Sequence, residues 1–121
     1  MAYETKETQG CCLPCTGVET RDWYAWLNLM PPPPDELHVV GEVYVANPGV
    51  DPLLTPRVPQ GINPQILLLD LYLCQRPGLW PQIMVWKPVR YDKVAPGVKY
   101  TAINVFCGDE MIANFPVNEV H

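Results

Sequence analysis

Serine is absent from this chain of 121 residues, and histidine occurs only at His38 and His121. Without a serine hydroxyl, the hydrolases that couple one to a histidine base are excluded. Basic residues are scarce as well: 8 lysines and arginines stand against 13 aspartates and glutamates, and they form neither a run nor a stripe. Clustered cations are what displace counterions from a polyanion, so no nucleic acid and no membrane surface is expected as a partner. Long apolar runs are also missing. The longest, Ile66 to Leu73, is broken by Asp70 and is too short to cross a bilayer. The N-terminal residues lack a basic region followed by an apolar stretch, so no secretory signal is read there. The cytoplasm is the expected compartment, although a secreted mature form would look the same. Glycine-rich phosphate loops are absent, since Pro77-Gly78 and Pro96-Gly97 read as turns. Asp51, Asp92 and Asp109 show no pairing that would suggest a two-carboxylate hydrolase.

What the chain does contain suits one folded domain. Hydrophobic residues make up 48% and charged residues 17%, far from the charge-rich composition of disordered chains. Its 15 prolines exceed the ordinary level of about 5% and fall mostly between apolar runs, which favours short elements.

Three regions are expected: a polar, cysteine-containing arm over 1–17, a short helix and polyproline spacer over 18–34, and a β-sandwich domain over 35–121. Thr16 and Glu19 fit a capping box, and Trp23, Trp26, Leu27 and Met30 follow helical spacing, which predicts a helix from Val18 to Leu29. Pro31 to Pro34 should end it and continue as a stiff extended tether. From Leu37 the period becomes two, with Leu37, Val39, Val43 and Val45 on one side and His38, Glu42 and Tyr44 on the other. Residues 47–61 read as a loop. Ile66 to Gln75 reads as a buried strand rather than the helix that Asn63-Pro64 and Pro77-Gly78 would also bracket. Gln82 to Tyr91 reads as a strand with Pro88 at an edge or bulge. Cys107-Gly108-Asp109-Glu110 predicts a hairpin with glycine at the first central position of a type II′ turn. Pairing outward sets Phe106 opposite Met111, Asn104 opposite Ala113 and Ala102 opposite Phe115, and that face is assigned to the core. The expected fold is therefore mainly β: an antiparallel sandwich with one short N-terminal helix, the immunoglobulin-like topology among those the pattern admits.

Five cysteines, with no secretory signal, are read as reduced thiols. Cys12-Leu13-Pro14-Cys15 is a C-x-x-C preceded by Cys11. Thiolates at a helix start would suit redox exchange, Zn²⁺ or an iron–sulfur cluster, with a fourth ligand from Cys74, Cys107, His38 or His121. Neither a preceding strand nor a second C-x-x-C supports that use. His38 reads as a rim or solvent-face histidine, and Asp70 as a carboxylate that points to solvent or accepts backbone hydrogen bonds at an edge. Trp23 and Trp26, with Trp80 and Trp86, are core residues or the anchors of an interface.

The leading functional expectation is a non-catalytic module that associates with itself or with another protein, without a cofactor. A thiol-redox or metal protein centred on Cys11, Cys12 and Cys15 is the first alternative. A binder of a small apolar ligand between sheets is the second.

Overall fold

The computed structural model describes residues 12–121. It is mainly β, with the strands β1 (Cys12–Leu13), β2 (Thr20–Asn28), β3 (Glu36–Val45), β4 (Val50–Pro56), β5 (Ile66–Gln75), β6 (Val85–Val94), β7 (Ala102–Cys107) and β8 (Glu110–Val120). The path β4-β5-β7-β8-β2-β3-β6 curls until β4 and β6 lie side by side, so the sheet is nearly a barrel, and β1 adds two residues beside β5. Most neighbours are antiparallel. However, β5 runs parallel to β7 and β2 parallel to β8, which makes the sheet mixed where an antiparallel one was expected.

Alternation builds the core. In β3 the buried positions are Leu37, Val39, Gly41, Val43 and Val45, and in β5 they are Leu67, Leu69, Leu71 and Leu73. A helix over Ile66 to Gln75 would scatter those four leucines around its circumference, whereas a strand points all of them inward. Ala25, Leu27, Leu54, Val89, Ile103, Val105 and Phe115 complete the interior from the other strands.

Among the described residues no helix occurs, and the one expected from Val18 to Leu29 is corrected to a turn and a strand. Val18 N–H donates to the Cys15 carbonyl at 3.0 Å, with Gly17 at φ 75°, so Thr16 sits in a turn and caps nothing. From Thr20 the chain is extended, as suits its aromatic content once a sheet lies on either side. Ala25 and Leu27 face inward, Tyr24 and Trp26 outward. Pro31 to Pro34 lie in the connection between β2 and β3, whose ends pair at Asn28 and Glu36, so they reverse the chain and do not act as a tether.

Two further differences concern the edges. Residues Val50–Pro56, expected within a loop, form β4, which pairs only with β5 and tolerates Pro52 and Pro56 for that reason. The hairpin turn is as expected, with Gly108 at φ 61°. Its register is as expected only for Phe106 opposite Met111; beyond that pair a bulge at Ile112 places Asn104 opposite Asn114, Ala102 opposite Pro116 and Ile103 opposite Phe115. The inward set is therefore Ile103, Val105, Cys107 and Phe115, while Met111 is half exposed.

Candidate functional site

The outer faces of β2, β3 and β6 form a three-stranded surface whose residues can be placed from the register alone. Successive cross-strand rows read Asn28–Glu36–Val94, Trp26–His38–Asp92, Tyr24–Val40–Arg90, Arg21–Glu42–Pro88, and Tyr44–Trp86. A bulge between Arg21 and Tyr24, with Asp22 at φ 60°, keeps both of these residues on the outer side. Alternation then forces the face to carry whatever the core strands do not bury, and here that is aromatic and charged side chains.

They form two groups. At one end Trp26 lies 5.0 Å from the His38 ring and 5.7 Å from Tyr24, with the Arg90 guanidinium 5.8 Å from its centroid. At the other end Tyr44 and Trp86 lie 4.8 Å apart, and Arg21 covers Trp86 at 3.8 Å. These contacts are those expected between a guanidinium and an aromatic face.

The charges are satisfied within the surface. Arg21 Nε donates to Glu42 Oε1 at 2.7 Å, and Arg90 Nε donates to both oxygens of Asp92 at 3.0 Å. His38 Nδ1 donates to Asp92 Oδ1 at 2.6 Å, which fixes a proton on that nitrogen because a carboxylate can only accept; its Nε2 lies 3.4 Å from Glu36. The hydrogen bond from His38, with Arg90 adding to it, holds the Asp92 carboxyl below its ordinary value against the opposing cost of burial.

Of the four tryptophans named from the sequence, Trp26 and Trp86 lie on this surface, one in each group, and the other two do not. Trp23 turns inward, stacks on Phe115 at 5.4 Å, covers Gly41, and donates from Nε1 to Thr20 Oγ1 at 2.9 Å. Trp80 lies over Gly49 in the connection between β5 and β6, donating from Nε1 to the Arg76 carbonyl at 2.9 Å. Tyr24, Tyr44, Arg21 and Arg90 were not singled out. The signal that could have found them is the alternation of Tyr24 and Trp26, visible once residues 20–28 are read as a strand.

Cys15 is joined to Cys107 in a disulfide spanning 92 residues, with Cα atoms 5.9 Å apart, so this pair is oxidised where reduced thiols were expected. Cys11 and the Cys12 side chain lie outside the described residues, and Cys12 is placed opposite Cys74 in the backbone register. Among the described residues no three His, Cys, Asp or Glu side chains converge on a metal position. A shallow concavity of about 670 Å³ lies beside the disulfide, lined by Leu13, Cys15, Leu71, Tyr72 and Glu110. Next to it, Arg57 donates to Asp70 Oδ1 and to the Gly108 carbonyl, both at 2.7 Å, and lies 4.4 Å over Phe106. Asp70 therefore accepts from a guanidinium on a strand flanked by β4 and β7, where solvent or backbone donors at an edge were expected, and the Arg57 clamp ties β4's end to the hairpin turn. No family model, no curated protein and no solved structure matches this chain.

Proposed function

We propose that the protein is a non-catalytic interaction module, a two-layered β-sandwich in which β2, β3 and β6 form one layer, and that it self-associates through that layer's outer face. The observation that carries this reading is the register, which gathers Tyr24, Trp26, Tyr44, Trp86, Arg21 and Arg90 on one solvent-side surface. Tryptophan, tyrosine and arginine dominate interface energetics because they bury large area at low entropic cost and still offer hydrogen bonds. Glu42 and Asp92 already partner Arg21 and Arg90, so covering these two side chains strands no lone guanidinium.

A second copy is the occupant this chemistry favours. A two-fold axis lying in the interface along β3 sets β2 of one copy over β6 of the other. The aromatic column of Tyr24 and Trp26 then meets the guanidinium column of Arg90, twice per dimer. The Cys15–Cys107 bond favours an oxidising compartment for this assembly over the cytoplasm.

Light scattering on size-exclusion fractions tests the reading. At about 100 μM, well above a micromolar Kd, the wild type should be dimeric. Tyr24→Glu, at a half-exposed position outside the core, should be monomeric with unchanged melting. A wild type that stays monomeric, or a variant that stays dimeric, overturns self-association through this face.

A further inference from the structure

We propose that the seam between β4 and β6 binds a small carboxylic acid with an apolar body. The two strands lie side by side there without a ladder between them among the described residues, and a cavity of about 270 Å³ opens at the end near Pro56 and Tyr91. Its walls include Pro56, Ile66 and Leu67, and its polar groups include Tyr91, Tyr100 and Lys93.

Val85, Lys87, Val89, Tyr91 and Lys93 share the inward side of β6, and Val89 is buried in the core. Lys87 and Lys93 are partly buried on that side, and an ammonium that gives up part of its water gains from a partner. At one end that partner is present: Lys87 Nζ donates to the Pro48 carbonyl at 2.9 Å and lies 3.4 Å from Asp51. At the other end it is not. Arg21, Arg57, Arg76, Lys87, Arg90 and Lys99 all have a carboxylate within 4.0 Å. Lys93 has none among the described residues and makes no side-chain hydrogen bond to them, in a chain of net charge −5.

The tyrosines point to the same ligand. Among the described residues neither the Tyr91 nor the Tyr100 hydroxyl is hydrogen-bonded to the protein. Burial, and secondarily the neighbouring Tyr100, push the Tyr91 phenol above its ordinary value, which keeps it a neutral donor. The cavity thus offers an ammonium and two phenolic O–H groups against an apolar wall, a donor set that an anionic oxygen pair completes. Its volume lies below the range of about 300–1,000 Å³ for ordinary ligand pockets, so a single-ring acid is the size class and a nucleotide is not. Phosphate would leave the apolar wall wet and carry more charge than one lysine balances.

The test is titration of the full chain with phenylacetate, phenylacetamide and inorganic phosphate, followed by amide chemical shifts. Phenylacetate should bind saturably, with shifts centred on residues 91–93 and 100. Phenylacetamide, and phenylacetate against Lys93→Met, should bind at least about tenfold more weakly, since a charge-assisted pair is lost. Inorganic phosphate should not bind there. Lys93→Met keeps the apolar stem and removes an unpaired charge, so it should fold, and its unliganded spectrum checks this. No saturable phenylacetate binding, equal binding of the amide, or unchanged binding by Lys93→Met would each overturn the site.

Discussion

Gly41 shows how one hydrogen atom in place of a side chain can fix a larger residue. It is buried in the middle of β3, and a Cβ there would run into the six-membered ring of Trp23. That ring cannot easily retreat, because it is stacked on Phe115 and held through Nε1 by Thr20. Trp23 is thus a lid on the core, and its place is set by the absence of a side chain opposite. Gly41→Ala should destabilise the fold by about 1–3 kcal/mol, the usual cost of overpacking a well-filled interior. Urea unfolding would measure it. A loss under about 0.5 kcal/mol, the level of surface substitutions, would mean that the indole slides aside and leaves Trp23 available to a partner.

At the scale of elements, β7 and β8 offer a sharper contrast. The bulge at Ile112 converts what would be two facing apolar sets into one inward set, with Phe115 across from Ile103, and leaves Met111 on the outside. Phe115→Ala should therefore cost about 3–5 kcal/mol, and Met111→Ala only a few tenths. Comparable losses in chemical denaturation would mean that the regular register, without the bulge, is the true one. The same pair shows what the sequence could convey. Strand β3 was legible because Leu37, Val39, Val43 and Val45 repeat at two with only Gly41 between them, whereas β5 is an apolar run that period alone does not settle and was read as a strand because a helix would be apolar all round. β2 was not, because Trp23, Trp26, Leu27 and Met30 fit a helical stripe equally well; only the flanking β3 and β8 decide it. β4 was hidden by Pro52 and Pro56, and the β8 bulge leaves no local mark. Of the candidate surface, Trp26 and Trp86 could be named as anchors, but their neighbours could not. Tyr44 meets Trp86, and Arg90 meets Trp26, only through cross-strand register, which is a property of the pairing and not of either strand.

For the whole molecule, the question is what ties a nearly closed sheet together where its ladder is thin. β1 pairs with β5 through only two residues, yet Cys15 just after it is bonded to Cys107 at the β7–β8 turn. The link closes a loop of 92 positions along the chain. A cross-link of that span removes much freedom from the unfolded ensemble, and in the chain-entropy account a loop of about 100 residues is worth close to 5 kcal/mol; measured values cluster nearer 2–4. The interior should not need the bond to form, since its leucines, valines and Phe115 pack across seven strands, β2 to β8, without it. Cys15→Ala/Cys107→Ala should accordingly fold to the same sheet while losing about 2–4 kcal/mol of stability. The double variant is the right probe, because it removes this one bond and leaves the solution conditions unchanged. Its effect should appear as a lower urea midpoint with native-like circular dichroism. Because the proposed contact surface on β2, β3 and β6 lies on a different face from the Cys107 turn, dimerisation should survive the substitution under conditions where the variant remains folded. Intact stability would show that the link constrains nothing. Loss of the fold itself would show that the core alone is too weak to hold the seam between β4 and β6.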